Sequence, residues 1–377
     1  MRAHGSNGPA TALTAAQGRP TQGIVLAARR HVAQVLVALG TGALLAAGVL
    51  EALLRLFPAI SLPPSVRREL AWRARHAGAP ADRTSDAVDA YSPLLGWELA
   101  ANLHTATISS NSVGIRGQRE FAAQPSPGVR RVLCVGDSFI FGEGLRDEET
   151  MPARLELALD ASGRAPWEVL NLGVHGYGTD QQWLRLQHLG FAYHPGLIVL
   201  GVFEDDVRRN ALSFRDYAKP YFDLVRGHLV LRGVPVPPPA TLLSRPPRLP
   251  ALYLASTLAW LPDAVATALP FVGLERTRAG AVTLAILDAV RRDVDNHGAR
   301  LLVVYIPRGP GARRSRAERL VTRWAAHSGT PLLDLRLAYR ALPRAARTRL
   351  YHVHWTAYGA AASARLVAAA IRRLAVS

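Results

Sequence analysis

Five short runs of β-branched and aliphatic residues alternate with stretches of helical spacing between residue 131 and the C-terminus: RVLCVG (131–136), WEVLNLG (167–173), PGLIVLGVF (195–203), ARLLVVYIP (299–307) and TPLLDL (330–335). Continuous apolar runs this short read as strands buried on both faces of a parallel sheet rather than as half-exposed strands, which would alternate. Between and after them, MPARLELALDA, QQWLRLQHLG, ERLVTRWAAHSG and AYGAAASARLVAAAIRRLAV carry apolar residues at helical intervals. This order predicts an α/β fold over 129–377, a three-layer open, mostly parallel sheet with helices on both faces. In such folds ligands meet the chain at the carboxyl ends of the strands.

One interruption breaks the alternation, at about residues 211–290. It contains the Pro-rich PVPPPATLLSRPPRLP and two apolar stretches, LYLASTLAW and AVATALPFVG, separated by Pro262 and Asp263. Those breakers argue against a second membrane span. The segment reads either as a helical insertion capping the active edge or as plain packing against the main domain.

The first 50 residues hold no acidic residue, and Val32 to Leu50 runs without a charge directly after Arg29, Arg30 and His31. That length spans a bilayer. The apolar pattern continues through EALLRLF, where a cleaved signal would end at small residues, so an uncleaved anchor over 32–56 is expected behind a tail at 1–31. Arg29 and Arg30 favour an inside N-terminus, giving a single-pass inner-membrane protein whose sheet domain faces the periplasm or exterior. Residues 57–128, rich in Pro, Ala and Arg, read as a linker and irregular lead-in.

Composition removes other classes. The chain has 45 basic and 28 acidic residues, a formal +17. Lys219 is the only lysine and no nucleic-acid motif accompanies the arginines, so nucleic acid is not an expected partner. Cys134 is the only cysteine, which leaves no disulfide framework and no Cys-based zinc site. His194, His352 and His354 lack a carboxylate at ligand spacing, so no metal is expected. Gly142 and Gly144 are not followed by Lys-Ser/Thr as in a phosphate loop, and no cofactor is expected.

The strongest chemical signal is VLCVGDSFIFGEGL, residues 132–145. A serine right after a buried strand and at the start of a helix is exposed at the sheet edge, where helix N–H groups can stabilise an oxyanion. Taken alone, Ser138 could equally be a helix N-cap. Three further blocks follow in order: NLGVHGYGTDQ (171–181), GVFEDDVRRN (201–210) and HVHWTAYGA (352–360). Together with the lead-in segments LLGWELAANLH and NSVGIRG, they resemble the four blocks of membrane-anchored bacterial SGNH (GDSL-type) hydrolases.

That resemblance implies the SGNH-hydrolase, flavodoxin-like sheet and a serine ester hydrolase working by acyl transfer. It also implies Ser138 as nucleophile, His354 as general base, and an oxyanion hole of Ser138, Gly176 and the residue at position 205. Two positions depart from the pattern. Asp205 stands where an Asn donor is usual, and a carboxylate only accepts. The Asp that usually precedes the base is missing, with Tyr351 and His352 there instead, which leaves Asp334 or His352 as orienting candidates. His175 could touch substrate, and Tyr177, Trp183 and Trp355 read as core or as a sugar-stacking surface. The expected partner is an ester, an acylated sugar or polysaccharide among the candidates. O-acyl transfer to an envelope polysaccharide is an alternative, because HVHWTAYGA is also similar to the final motif of alginate acetyltransferase-like proteins, and so is a scaffold protein that has kept the fold.

Overall fold

The computed structural model describes residues 20–78, 84, 86–161, 163, 165–269 and 272–374. The described residues form two units, one built on a long N-terminal helix and the other holding the sheet.

In the second unit the five expected runs are strands: β3 (Arg130–Val135), β4 (Trp167–Asn171), β5 (Leu197–Phe203), β8 (Arg300–Ile306) and β9 (Leu332–Asp334). Two short antiparallel pairs complete the set, β1 (Asp89–Ser92) with β2 (Gly96–Leu99), and β6 (Tyr221–Val225) with β7 (His228–Arg232). The main sheet runs β4-β3-β5-β8-β9, every pair parallel. Chain order therefore reverses at β3, whose neighbours are the next two strands of the sheet. Such a switch point leaves a crevice outside the carboxyl ends.

Side chains alternate across the sheet and are buried on both faces. Leu133, Leu170, Ile198 and Val303 face a layer containing Leu186, Ile286, Val290 and Val321. Val132, Cys134, Val199 and Val304 face Leu155, Leu159, Val367 and Ile371. The helices Thr179–His188, Arg278–Asn296 and Arg316–Ser328 supply the first layer, and Met151–Asp160 and Ala357–Leu374 the second. This is the three-layer α/β sheet that the sequence predicts.

Three expectations are corrected. The lead-in is not a linker: Trp72 on the helix Pro64–His76, and Leu95, Trp97 and Ile115, are fully buried in the first core layer. Trp97 donates to the carbonyl of His175 at 3.0 Å, so this segment packs against the loop after β4. The interruption is not a helical cap throughout, since it contains the β6–β7 hairpin and the sheet-covering helix Arg278–Asn296. Pro262 does not break its helix either. One helix spans Tyr253–Ala268 with Pro262 inside, since a proline forfeits one backbone bond of the ladder and leaves the others to carry the helix through.

In the first unit the helix runs Pro20–Leu56, so it begins inside the expected tail. Residues 1–19 of that tail lie outside the described residues. Ile24–Leu56 is long and apolar enough to cross a membrane, with a mean hydropathy of 2.0 in its apolar window and none of that window buried. At 1.5 Å per residue it extends about 50 Å, beyond the ~30 Å hydrocarbon core. Near its end Glu51 accepts from the backbone N–H groups of Tyr253 (3.0 Å) and Leu254 (2.7 Å), a carboxylate at a helix start.

The single lysine is structural. Lys219 is fully buried, pairs with the equally buried Asp180 carboxylate at the first turn of Thr179–His188, and donates to the carbonyls of Pro220 (2.9 Å) and Leu212 (3.2 Å). Burial lowers Lys219 and raises Asp180, and their mutual attraction opposes both shifts. Removing one partner strands a buried charge. Lys219→Ala is therefore expected to cost about 3–5 kcal/mol in denaturant unfolding of the full chain. Adding Asp180→Asn should return part of it.

Candidate active site

Ser138 opens the helix Ser138–Phe141 immediately after β3, at the switch point. Its turn is fixed from several sides. Asp137 caps the helix, accepting from the N–H of Phe139 at 3.1 Å. At the other end, Arg116 from the lead-in donates to the carbonyls of Phe141 (2.6 Å), Gly142 (2.8 Å) and Leu145 (2.5 Å), and pairs with Asp147 at 2.9 Å. A four-residue helix is too short to stand alone. These partners satisfy the carbonyls that it leaves open.

His354 is brought to Ser138 across more than half the chain. Its Nε2 lies 2.9 Å from Ser138 Oγ. A tight loop projects it, closed by the Tyr351–Trp355 bridge and by the N–H of His352 donating to the His354 carbonyl at 2.9 Å. Thr356 then caps the final helix by accepting from the N–H of Gly359 at 3.0 Å. Phe139 packs on the imidazole at 5.1 Å between centroids and on Trp355 at 5.0 Å, limiting ring rotation. Burial pushes His354 below the usual imidazole value. Asp137 and Glu143 oppose that shift, while Arg209 and Arg215 add to it. A neutral imidazole at neutral pH is the form that can take a proton from Ser138.

Gly176 sits in the loop after β4 at φ +79°, which an L side chain rarely adopts. A Cβ there would stand 2.4 Å from Asp216 Oδ2 and 2.8 Å from Arg215 Nη1, so a larger residue would push both side chains aside. The same loop approaches the nucleophile helix closely at Gly173, where a Cβ would lie 2.3 Å from the Phe141 nitrogen. The carboxyl end of β4 is thereby held against the Ser138 turn.

The other expected residues are placed differently. Asp205 precedes the helix Asp206–Arg209, and its carboxylate pairs with Arg308 and, at 3.4 Å, with Arg208. It is an ion-paired acceptor, not a donor. Asp334 does not orient His354: it caps its own helix, accepting from the N–H of Leu337 at 3.2 Å. His352 is exposed and engages the His354 loop through its backbone alone. Among the described residues no carboxylate bonds the second nitrogen of His354, and no group of three His, Cys, Asp or Glu could hold a metal. His194 lies before β5, at the opposite end of the sheet from Ser138. Tyr177 and Trp355 are buried core, and Trp183 packs on Phe222 and donates to Asp293 at 2.7 Å, so these aromatics form no stacking surface.

Two residues inside the four blocks, Arg209 and His175, make contacts that the motifs do not announce. Arg209, almost fully buried, donates from one nitrogen to Asp137 (2.8 Å), the Tyr177 carbonyl (2.8 Å) and Asp206 (3.0 Å). It ties together the turns after β3, β4 and β5. Burial and the adjacent Asp137 charge push Asp206 well above the usual carboxylate value. His175, beside Gly176, bonds Asp89 at 3.0 Å and lies 3.9 Å from Glu143. Burial disfavours its charged form, but Asp89 and Glu143 outweigh burial and raise it. The only sign of Asp89 in the sequence is that it precedes the lead-in motif.

By sequence the chain matches no family model and no curated protein. Several solved structures are similar to it. They include TesA (17% identity, TM-score 0.40, covering 65% of this chain and 99% of that one). A lipase/acylhydrolase from Enterococcus faecalis is 14% identical at TM-score 0.40, over 65% of this chain and 96% of its own. A catalytic mutant of an acetylxylan esterase from Geobacillus stearothermophilus is 14% identical at TM-score 0.38, over 64% and 94%.

Gly176→Ala should cost about 1–2 kcal/mol from the left-handed backbone alone. It should also lower kcat/KM on an activated ester at least tenfold by shifting the Gly176 N–H, an oxyanion donor that the resemblance implies. Thermal unfolding and ester kinetics on the same preparation check both.

Proposed function

We propose that the chain is a serine ester hydrolase, in which Ser138 attacks the ester carbonyl and His354 accepts the serine proton. The alcohol leaves with the proton returned by His354 while the acyl group stays on Ser138, and water activated by His354 then releases it as the acid and restores the serine. The observation that carries this reading is the 2.9 Å contact of His354 Nε2 with Ser138 Oγ at the switch point of a parallel sheet. The backbone N–H groups of Ser138 and Gly176 are the assigned oxyanion donors, and Asp205 is not among them. Losing one donor typically costs about 2.7–4 kcal/mol of transition-state stabilisation, which points to a slow enzyme. His354 works as one half of a Ser-His dyad, with Asp137 and Glu143 favouring its imidazolium through space.

The apolar N-terminal helix is read as an uncleaved anchor with Arg29 and Arg30 on the cytoplasmic side, placing the catalytic unit outside the inner membrane. An acylated sugar or polysaccharide of the cell envelope is then the substrate class. A reporter joined after Ser377 should be active only if it is of a type that works outside the cytoplasm. Activity of a cytoplasmic reporter there would reverse the orientation.

Ser138→Ala should lower turnover of an activated aryl ester on the order of 10⁴- to 10⁶-fold while the chain stays folded. Unchanged turnover would remove Ser138 from the mechanism. The acid limb of the wild-type pH–rate profile should fall below pH 6.5, because the lowered His354 remains an unprotonated base there. A limb above 6.5 would contradict the assigned base.

A further inference from the structure

Guanidinium groups gather around Gly176 and Asp205, and they differ in how they are used. Arg209 is committed to Asp137, Asp206 and the Tyr177 carbonyl. Arg208 and Arg308 hold Asp205. Two others remain available. Arg215 shares one edge with Asp216, keeps a quarter of its side chain exposed, and lies directly over Gly176. Arg68, on the helix Pro64–His76, is half-buried and makes no hydrogen bond or ion pair among the described residues. The N–H of Ser213 donates to Ser65 Oγ at 3.1 Å, which fixes the first turn of Arg68's helix onto the segment leading to Arg215.

Burial first, and then the charges of neighbouring arginines, lower both groups, Arg215 to about 10. Arg215 feels Arg68 and Arg209, and Arg68 feels Arg208 and Arg209. Like charges held together and partly desolvated are unfavourable in the empty protein. An incoming anion relieves both the repulsion and the unmet donors, and a planar guanidinium takes carboxylate or phosphate oxygens two at a time.

We propose that Arg68 and Arg215 form a subsite for an anionic group, a carboxylate or a phosphate, carried by the ester next to its scissile bond. This deepens the ester-hydrolase reading and rests on it. Asp216 and Asp205 restrict the subsite, since each already occupies part of a neighbouring arginine. The anion therefore binds on the free edges of Arg215 and Arg68.

The test compares acetyl esters that differ only in charge, using the full chain in detergent: 4-acetoxybenzoate, its methyl ester, and 4-acetoxyphenyl phosphate. The wild type should prefer a charged ester, and whether the carboxylate or the phosphate is preferred identifies the anion. Arg68→Gln and Arg215→Gln should each lower the charged-to-neutral ratio of kcat/KM about tenfold. Arg215→Lys, which keeps the charge, should retain most of that ratio, and high salt should lower it in the wild type. A second readout is independent of turnover. In Ser138→Ala, 4-hydroxybenzoate or inorganic phosphate should raise Tm, and adding Arg68→Gln should abolish the rise. An unchanged ratio, an equal loss on charged and neutral esters, or no Tm response to either anion would overturn the subsite. Arg-dependent binding by a chain that cleaves no ester would instead overturn the hydrolase reading and leave the subsite standing.

Discussion

One buried cation holds the candidate site together. The Arg209 guanidinium reaches Asp137 before Ser138, the Tyr177 carbonyl just after Gly176, and Asp206 after β5. Those three turns follow the three strands that flank the switch point, and none is rigid alone. Burying a guanidinium costs several kcal/mol unless its partners are well placed. Here the same contacts that offset that cost also set the spacing between Ser138 and the Gly176 loop. Asp206, raised by burial and by Asp137, takes its bond from the same Arg209 nitrogen as Asp137 does.

From the other side, Arg116 satisfies the carbonyls at the end of the Ser138 helix, and Trp97 ties the lead-in to the His175 carbonyl. The lead-in is thus structural support for the site. The base is handled differently. Packing against Phe139 and the short loop Tyr351–Trp355 set the orientation of His354, and its charge balance comes from groups at a distance. A site of this kind depends on packing where a hydrogen-bonded carboxylate would otherwise hold the imidazole.

The five sheet strands and the flanking helices were legible because buried parallel strands leave continuous apolar runs and their covering helices keep a 3.6-residue period. Ser138 and His354 were legible only through the resemblance of their blocks to those of a known family, since Ser138 by its position alone could equally be a helix N-cap. The roles of Arg209 and Arg116, though both stand in motif segments, and of Asp89 were not legible, since each acts on residues far along the chain. Trp72 and Trp97 stand in segments without periodicity, so their burial could not be read from spacing. Asp334 misled for a related reason: a carboxylate at a strand end looks available to a neighbouring loop, but it caps the helix that follows it.

The most direct measurement is peptide mapping of the full chain after reaction with a fluorophosphonate, which modifies only a serine whose hydroxyl is activated. The account predicts modification at Ser138 in the wild type, and its loss in His354→Ala with the chain still folded. A folded wild type that stays unmodified at Ser138, or modification that persists without His354, would contradict the Ser138–His354 dyad.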